Sequence, residues 1–431
     1  INSPSSHFHH FITSTVSPKE ARQSAFFFKM VNKRAIQEKL YSSLTSQDPN
    51  GVAQAVTLPP LQRHPQGAPP EPTTDKVTMI VDSVDYGGLL TALWDAHLAA
   101  ETGHAAACYQ AQASVHSNMN RVLSSSEGNW LIPALIVVCQ NTHKVALAAD
   151  RAGANGSHKD AMLQAAVQIL QDSYSKTFND RTEYQPGAPF DSMGSKKAGV
   201  LSIVNELFAM YFRLNILRLC KNLIRPVESR KLHESGPMSQ MVTYRFYIGR
   251  LNMYEDQHGI AEQNLDYAFR HCHRNAIGNK KRILRYLVPV KLYRGRFPTP
   301  QLLDKYGLDE FKPLVAGLLK GDLRTFQDGL VKYQDRFIRQ GTYLLLEKCK
   351  TVCYRNLFKR IHLILDKHQI SLSYVARAFH WLGMPIDLDE IECILANLIF
   401  RGFVRGYLSH SKRVLVLSKR DPFPSSSVIL K

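Results

Sequence analysis

The stretch Pro385-Ile386-Asp387-Leu388-Asp389-Glu390-Ile391-Glu392-Cys393-Ile394-Leu395-Ala396-Asn397-Leu398-Ile399-Phe400-Arg401-Gly402-Phe403-Val404-Arg405-Gly406-Tyr407-Leu408 changes period in its middle. Up to Phe400 the apolar residues Ile391, Ile394, Leu395, Leu398 and Ile399 recur three or four positions apart, which predicts a helix with one wide buried face. Asp387, followed three residues later by Glu390, predicts its N-cap as a capping box. After Gly402 the chain turns β-rich over Phe403–Leu408 and again over Val414–Ser418, joined by Ser409-His410-Ser411, which predicts a hairpin. Upstream, one long helix is expected over Tyr343–Leu365 and another over Ser371–Leu382, closed by Gly383. Helix, helix, helix, hairpin is the element order of a winged helix.

Further upstream the helical period continues. Val242–Arg274 reads as an antiparallel helix pair, with Ile248-Gly249, Ala261, Leu265 and Ala268 loosely at tetratricopeptide spacing, where a small residue lets two helices approach. The array is expected to run on through Ile283–Arg294, Glu310–Lys320 and Asp322–Phe337. Val200, Ile203, Val204, Leu207 and Phe208 keep the same period, as do Leu89, Leu93, His97 and Ala100. The fold class is therefore mainly α: a helical-repeat array ending in a C-terminal winged helix. Three breaks organise it: Thr57–Asp75 with six prolines, Glu183–Ser195 and Glu228–Pro237. They suggest an N-terminal helical region over 30–195, a repeat region over 196–340, a winged helix over 341–420 and a disordered or extended tail over 421–431. Residues 1–29, Ser/His/Phe-rich and without period, are expected to be an upstream segment preceding a start at Met30.

With 431 residues, 44% of them hydrophobic and 21% charged, the chain has ordinary globular composition. No run of ~18 consecutive apolar residues predicts a membrane span. The best candidate, Trp130–Cys139, carries Pro133, runs into Gln140-Asn141-Thr142-His143 and reads as a buried helix. Seven scattered cysteines do not make a disulfide framework, so a reducing compartment is expected, and the sequon Asn155-Gly156-Ser157 has no glycosylation meaning there. The formal charge of +18 is uneven. Residues 1–195 hold 14 Lys and Arg against 16 Asp and Glu, whereas residues 196–431 hold 40 against 20. A polyanionic partner is expected for the C-terminal half, against the alternative of a basic, solvated surface.

The helix that would read a major groove opens with Asp387, Asp389, Glu390 and Glu392, which would meet phosphate with repulsion. Sequence-specific DNA readout is therefore not expected. Around the hairpin, Arg401, Arg405, Lys412, Arg413, Lys419 and Arg420, with Tyr407 and His410 among them, are candidates for phosphate contact and base stacking without sequence readout. Alternation along the hairpin would instead split them into a plain solvated surface. Further candidates are Lys280, Lys281 and Arg282, followed by Arg285, Lys291, Arg294 and Arg296, and the group Arg355, Lys359 and Arg360. Phe403, Val404 and Tyr407 with Phe379 and Trp381 are the candidate partner-facing residues, although Phe379 and Trp381 read equally as core. His271-Cys272-His273 and the Cys349/Cys353 pair lack a second ligand pair at zinc-finger spacing, so no metal is expected, and the cysteine pair reads as a buried helix face. No catalytic or phosphate-loop signature is present, and neither enzyme nor cofactor is expected.

The segments Val242-Thr243-Tyr244-Arg245-Phe246-Tyr247-Ile248-Gly249-Arg250, Ala268-Phe269-Arg270-His271-Cys272-His273-Arg274, Asn279-Lys280-Lys281-Arg282-Ile283-Leu284, Leu287-Val288-Pro289-Val290-Lys291, Cys393–Ile399 and Val416–Pro424 resemble the PCI-domain family. Within it they are most similar to the PCI subunit of the transcription-export complex 2. That resemblance implies an adaptor for mRNA export, paired with the PCI segment of a large scaffold of the germinal-centre-associated nuclear protein type. It also implies a small acidic disordered subunit shared with the proteasome lid, RNA, and nuclear pore components as partners. The expected location is the nucleus, at nuclear pores, with room for a cytoplasmic population. The alternative is a scaffold subunit of a signalosome- or lid-like PCI complex that never touches nucleic acid.

Overall fold

The computed structural model describes residues 34–62, 68–73, 78–81, 84–153, 160–184, 194–234 and 236–425. The expected upstream segment, the sequon and the end of the tail lie outside the described residues. The chain divides into two compact units between Gly236 and Pro237.

In the first unit, consecutive helices pack on one another: Gly87–Thr102 on Ala105–Ser125, that on Ile132–Arg151, and this in turn on Ala161–Phe178 and Val200–Leu214. Because Val200–Leu214 packs here, the unit extends past the break at 183–195 to Gly236, beyond the boundary read from the sequence. Ile132–Arg151 is, among the described residues, the one helix long and apolar enough to cross a membrane by length and composition. It is an interior helix here, and its polar residues are what fix its register. Thr142 Oγ1 lies 2.9 Å from His116 Nδ1, and His116 Nε2 lies 2.7 Å from Ser173 Oγ. Ser173 in turn donates to Asn120 Oδ1 at 2.8 Å, and Gln112 Nε2 donates to Val138 O at 3.3 Å. This buried chain ties three helices together at one registration, since slipping any of them would orphan polar groups out of reach of water.

The second unit starts with the expected helix pair, Met238–Tyr254 and His258–His271. Gly249 sits where they meet: a Cβ there would fall 2.6 Å from Leu265 Cγ, so any larger residue would push the helices apart. Ile277–Tyr293, Lys312–Lys320, Leu323–Lys332 and Gln334–Gln340 continue the array, the last two separated at Tyr333 rather than forming one helix. The long helix expected over Tyr343–Leu365 is likewise broken, at Cys349, into Tyr343–Lys348 and Lys350–Leu365.

The winged helix comprises α1 (Lys350–Leu365), β1 (Gln369–Ser371), α2 (Leu372–Trp381), α3 (Leu388–Phe400), β2 (Gly406–Ser409) and β3 (Val414–Leu417). Its antiparallel sheet has the order β1-β3-β2, with Ile370 opposite Leu415 and Leu408 opposite Leu415. Asp387 caps α3 as expected, accepting the Glu390 N–H at 2.6 Å, and Gly383 follows α2 with φ 69°. Ile391, Leu395 and Leu398 of α3 lie in one continuous core with Phe358, Val375, Phe379, Phe403 and Leu415.

Burial holds His116 neutral, with its pKa lowered to about 3, and lowers His97 to about 4. Between the folded and unfolded values the unfolded chain binds the extra proton, so stability falls as pH drops below about 6.5. The His116 contribution alone is about 2 kcal/mol between pH 7.5 and pH 5. His116→Asn should start less stable at pH 7.5 yet lose less on acidification; urea midpoints measured at both pH values check this, and parallel losses would refute it.

Candidate functional site

The winged helix spends much of its charge on itself. Arg413, at the tip of the wing with φ 50°, reaches back to the first turn of α3 and pairs with Asp389 at 2.5 Å and Glu392 at 3.1 Å. His410 Nδ1 lies 2.7 Å from Glu392 Oε2. The carboxylates that would repel a phosphate at this helix start are thus the anchors of the wing. Arg413 is consequently committed, as is Arg405, paired with Asp421 at 3.2 Å. Arg401 donates to Thr351 Oγ1 at 3.2 Å and Tyr293 Oη at 3.3 Å, joining the end of α3 to α1 and to the helix Ile277–Tyr293.

Two expected phosphate contacts on α1 do structural work instead. Arg355 is buried and donates to the carbonyls of Phe423 at 2.6 Å and Pro424 at 2.7 Å. Of the two readings of the tail, disordered or extended, its described start is not the disordered one: Phe423 and Pro424 are buried and held by Arg355. Arg360 donates to Lys320 O at 3.0 Å, capping the helix Lys312–Lys320. The basic run after residue 280 is also largely internal. Lys280 donates to Phe269 O at 3.1 Å, and Lys291 pairs with Asp266 at 2.8 Å. Arg294 and Arg296 hold the buried Glu262 at 2.8 and 2.7 Å, and Arg336 holds the buried Glu310 at 3.1 Å, with Arg285 at 3.8 Å from the same carboxylate. Lys281 and Arg282 stand at the outer side of this helix, Lys281 beside Gly307. Of the candidate cations read from the sequence, Lys359, Lys412, Lys419 and Arg420 on the winged helix and Arg282 on the array are exposed with no ion pair among the described residues.

The partner-facing candidates divide too. Phe379, Phe403 and Val404 are core, between 0% and 1% exposed, because the helix period of α2 and the turn into β2 both aim them inward. Trp381 is 83% exposed and Tyr407 62% exposed. Phe400, which the sequence reading left out, is 90% exposed. The signal for it was present: on a helix of 100° per residue, Phe400 stands nine residues after the buried Ile391, on the opposite face. Trp381 bears the same relation to the buried Leu372. Leu363 and Ile364 at the end of α1 add to this exposed apolar set.

Elsewhere the chemistry is structural. Cys139 Sγ lies 3.6 Å from His116 Nε2, but burial drives the thiol pKa up and the imidazole pKa down, the reverse of what a thiolate nucleophile needs. Cys349 and Cys353 form a buried helix face as expected, their thiols donating to Leu345 O and Gly317 O. No grouping of three or more metal-ligating side chains occurs among the described residues. A cavity of about 780 Å³ in the first unit is lined by Glu71, Asp85 and Asp95, by the neighbouring prolines, and by small residues of Gly87–Thr102 and Ala105–Ser125, with no His, Cys or Lys. Asp85 accepts the N–H of Gly87, and Asp95 that of Thr73.

The PCI domain family matches residues 330–419, the end of the helical array and the winged helix. PCI domain-containing protein 2 of Xenopus laevis is 39% identical over 320 residues, covering 73% of this chain and 78% of that protein. Enhanced ethylene response protein 5 of Arabidopsis thaliana is 35% identical over 348 residues, covering 79% and 81%. Protein CSN12 homolog of Mycosarcoma maydis is 30% identical over 347 residues, covering 74% and 75%.

Arg355→Ala leaves two carbonyls of the tail without their buried donor, at a cost of about 2–4 kcal/mol. Trypsin should then cut after Lys419 and Arg420 much faster than in the parent protein, which timed digestion with mass analysis reads directly. Unchanged cleavage would show that the tail is held by something else.

Proposed function

The chain belongs to the family of PCI domain-containing protein 2, and from that premise we propose that it is a non-enzymatic adaptor of a nuclear mRNA-export complex. In this reading it pairs through its winged helix with the PCI segment of a large scaffold, is clamped by a small acidic chain, and works at nuclear pores. It contacts RNA without reading sequence.

The observation that carries it is how the winged helix divides its surface. The start of α3, which would enter a major groove, is closed over by the wing through Asp389, Glu392, His410 and Arg413. The ends of α2 and α3 meanwhile hold Trp381 and Phe400 in solvent. A groove reader would do the opposite, baring the helix start and burying the aromatics. Large exposed aromatics on rigid helices are the anchors from which protein interfaces draw most of their affinity. Lys412, Lys419 and Arg420 remain outward-facing and suit phosphate contact. The alternative, a signalosome- or lid-type scaffold that never meets nucleic acid, draws on the number of cations committed internally, Arg401, Arg405 and Arg413 among them.

Capture from cells with a tagged full chain tests the partner reading. Wild type should bring down a large PCI scaffold, a small acidic chain and pore components, and Trp381→Asp/Phe400→Asp should lose the scaffold with an unchanged melting temperature, both side chains being in solvent. Recovery of signalosome or lid subunits without pore components would move the assignment to the alternative. Separately, Lys412→Glu/Lys419→Glu/Arg420→Glu should weaken oligouridylate binding and flatten its log–log salt slope by about 2, at ~0.7 per lost phosphate contact. An unaltered slope would remove the wing from the RNA reading.

A further inference from the structure

The first unit carries a charged surface that the winged-helix reading does not use. Between Arg213 and Lys231 there are six Lys and Arg and a single acid, Glu228. The helix Arg218–Ser229 buries Cys220, Leu223 and Val227 and turns Arg218, Lys221, Asn222 and Arg225 to solvent on the opposite face. At 1.5 Å per residue the three cations follow one another at rises of about 4.5 and 6 Å along one stripe. The apolar face is already spent on the core of the unit, so this is not a helix that lays itself into a lipid surface.

At the C-terminal end of the same helix stands a layered stack. Tyr174 and Phe178 are stacked with ring centroids 5.3 Å apart and planes at 22°. The Arg230 guanidinium lies over the Phe178 ring, 4.0 Å from its centroid, and its Nη1 donates to Phe178 O at 2.9 Å, which fixes the plane. Arg230 is exposed. An aromatic pair finished by an exposed, immobilised guanidinium plane is a platform on which an unpaired base stacks. An acidic polypeptide would be satisfied by the row of cations alone and has no use for such a platform. The combination of phosphate-spaced cations with a stacking plane favours single-stranded nucleic acid.

We propose that the helix Arg218–Ser229 is a second contact for single-stranded nucleic acid, with Arg218, Lys221 and Arg225 taking phosphates and the Arg230–Phe178 stack receiving a base. The proposal rests on the reading that this protein meets nucleic acid, and it adds a site in the first unit to the wing in the second. Its specificity is for single strands over duplex, because only an unpaired base can leave its neighbours to stack on Arg230.

Fluorescence anisotropy of the full chain with a labelled 15-nucleotide oligouridylate, titrated at several KCl concentrations, tests it. Arg218→Glu/Arg225→Glu should weaken binding roughly tenfold at 100 mM salt and flatten the log–log slope by about 1.4. Arg230→Ala should weaken the oligouridylate several-fold and leave an abasic oligomer of the same length unaffected. Melting curves by circular dichroism exclude unfolding as the cause. If the helix variant binds like wild type while the variant with Lys412, Lys419 and Arg420 reversed loses affinity, this site is overturned and the wing reading stands. Equal losses for oligouridylate and polyglutamate, with Arg230→Ala inert, overturn the nucleic-acid assignment of the helix. Absence of binding by wild type overturns both.

Discussion

The second unit turns on how one helix ends. Lys312–Lys320 stops at Gly321, where the N–H groups of Gly321 and Asp322 return to Leu318 O and Gly317 O and leave Lys320 O without a backbone partner. One face of α1 covers this end: Cys353 and Asn356 add a second donor to Gly317 O at 3.5 Å and Leu318 O at 2.7 Å, and Arg360 donates to Lys320 O at 3.0 Å. These three donors stand three and four residues apart, so a single helical stripe covers a single helical terminus. Gly321, with φ 67°, is required twice over: the left-handed turn ends the helix, and a Cβ would fall on the backbone of Leu357. Backbone contact at that distance leaves the winged helix one seating on the array. The rest of the domain inherits its orientation from there.

Once α1 is seated, its other faces are allotted. Arg355 turns to the tail and Thr351 to Arg401 at the end of α3, so α1 is gripped from the array, from the tail and from the third helix. The wing is then pinned through Arg413 and His410 to the first turn of α3. Each exposed pair in this set is worth little by itself. Together they hold a hairpin of two four-residue strands against a helix, which a free wing would not achieve.

The element order, the capping of α3, the helix pair at Val242–Arg274 and the buried Cys349/Cys353 face were all legible in the sequence, because period, caps and small-residue spacing are local signals. The interruptions at Tyr333 and Cys349 were not. Apolar residues keep helical spacing through both, and the chain turns there only because the next segment packs against a different neighbour. The charges were least legible of all. Arg355 and Arg360 differ from Lys359 in nothing the sequence reveals, yet two of them cap carbonyls contributed from about forty and seventy residues away and one stands in solvent. Phe403 and Trp381 look alike as candidate anchors until their place on the helix or turn is known.

A net charge is a sum over tasks, and that bears on what the C-terminal half can bind. Forty basic residues there face twenty acidic ones, a balance that suggests a strong polyanion site. Much of it is committed within the fold, to the buried carboxylates Glu262 and Glu310, to helix ends, and to the tail. Burying a carboxylate demands a close cation, and burying Glu262 in this unit takes two arginines. What reaches solvent on the winged helix is a few separated lysines and arginines near bare aromatics. On the proposed reading, such a surface holds a protein partner through Trp381 and Phe400 and adds phosphate contacts of modest strength at its border. Strong retention of a long single strand would then need cations elsewhere on the chain. The helix Arg218–Ser229 supplies such a row, with Glu228 its single acid.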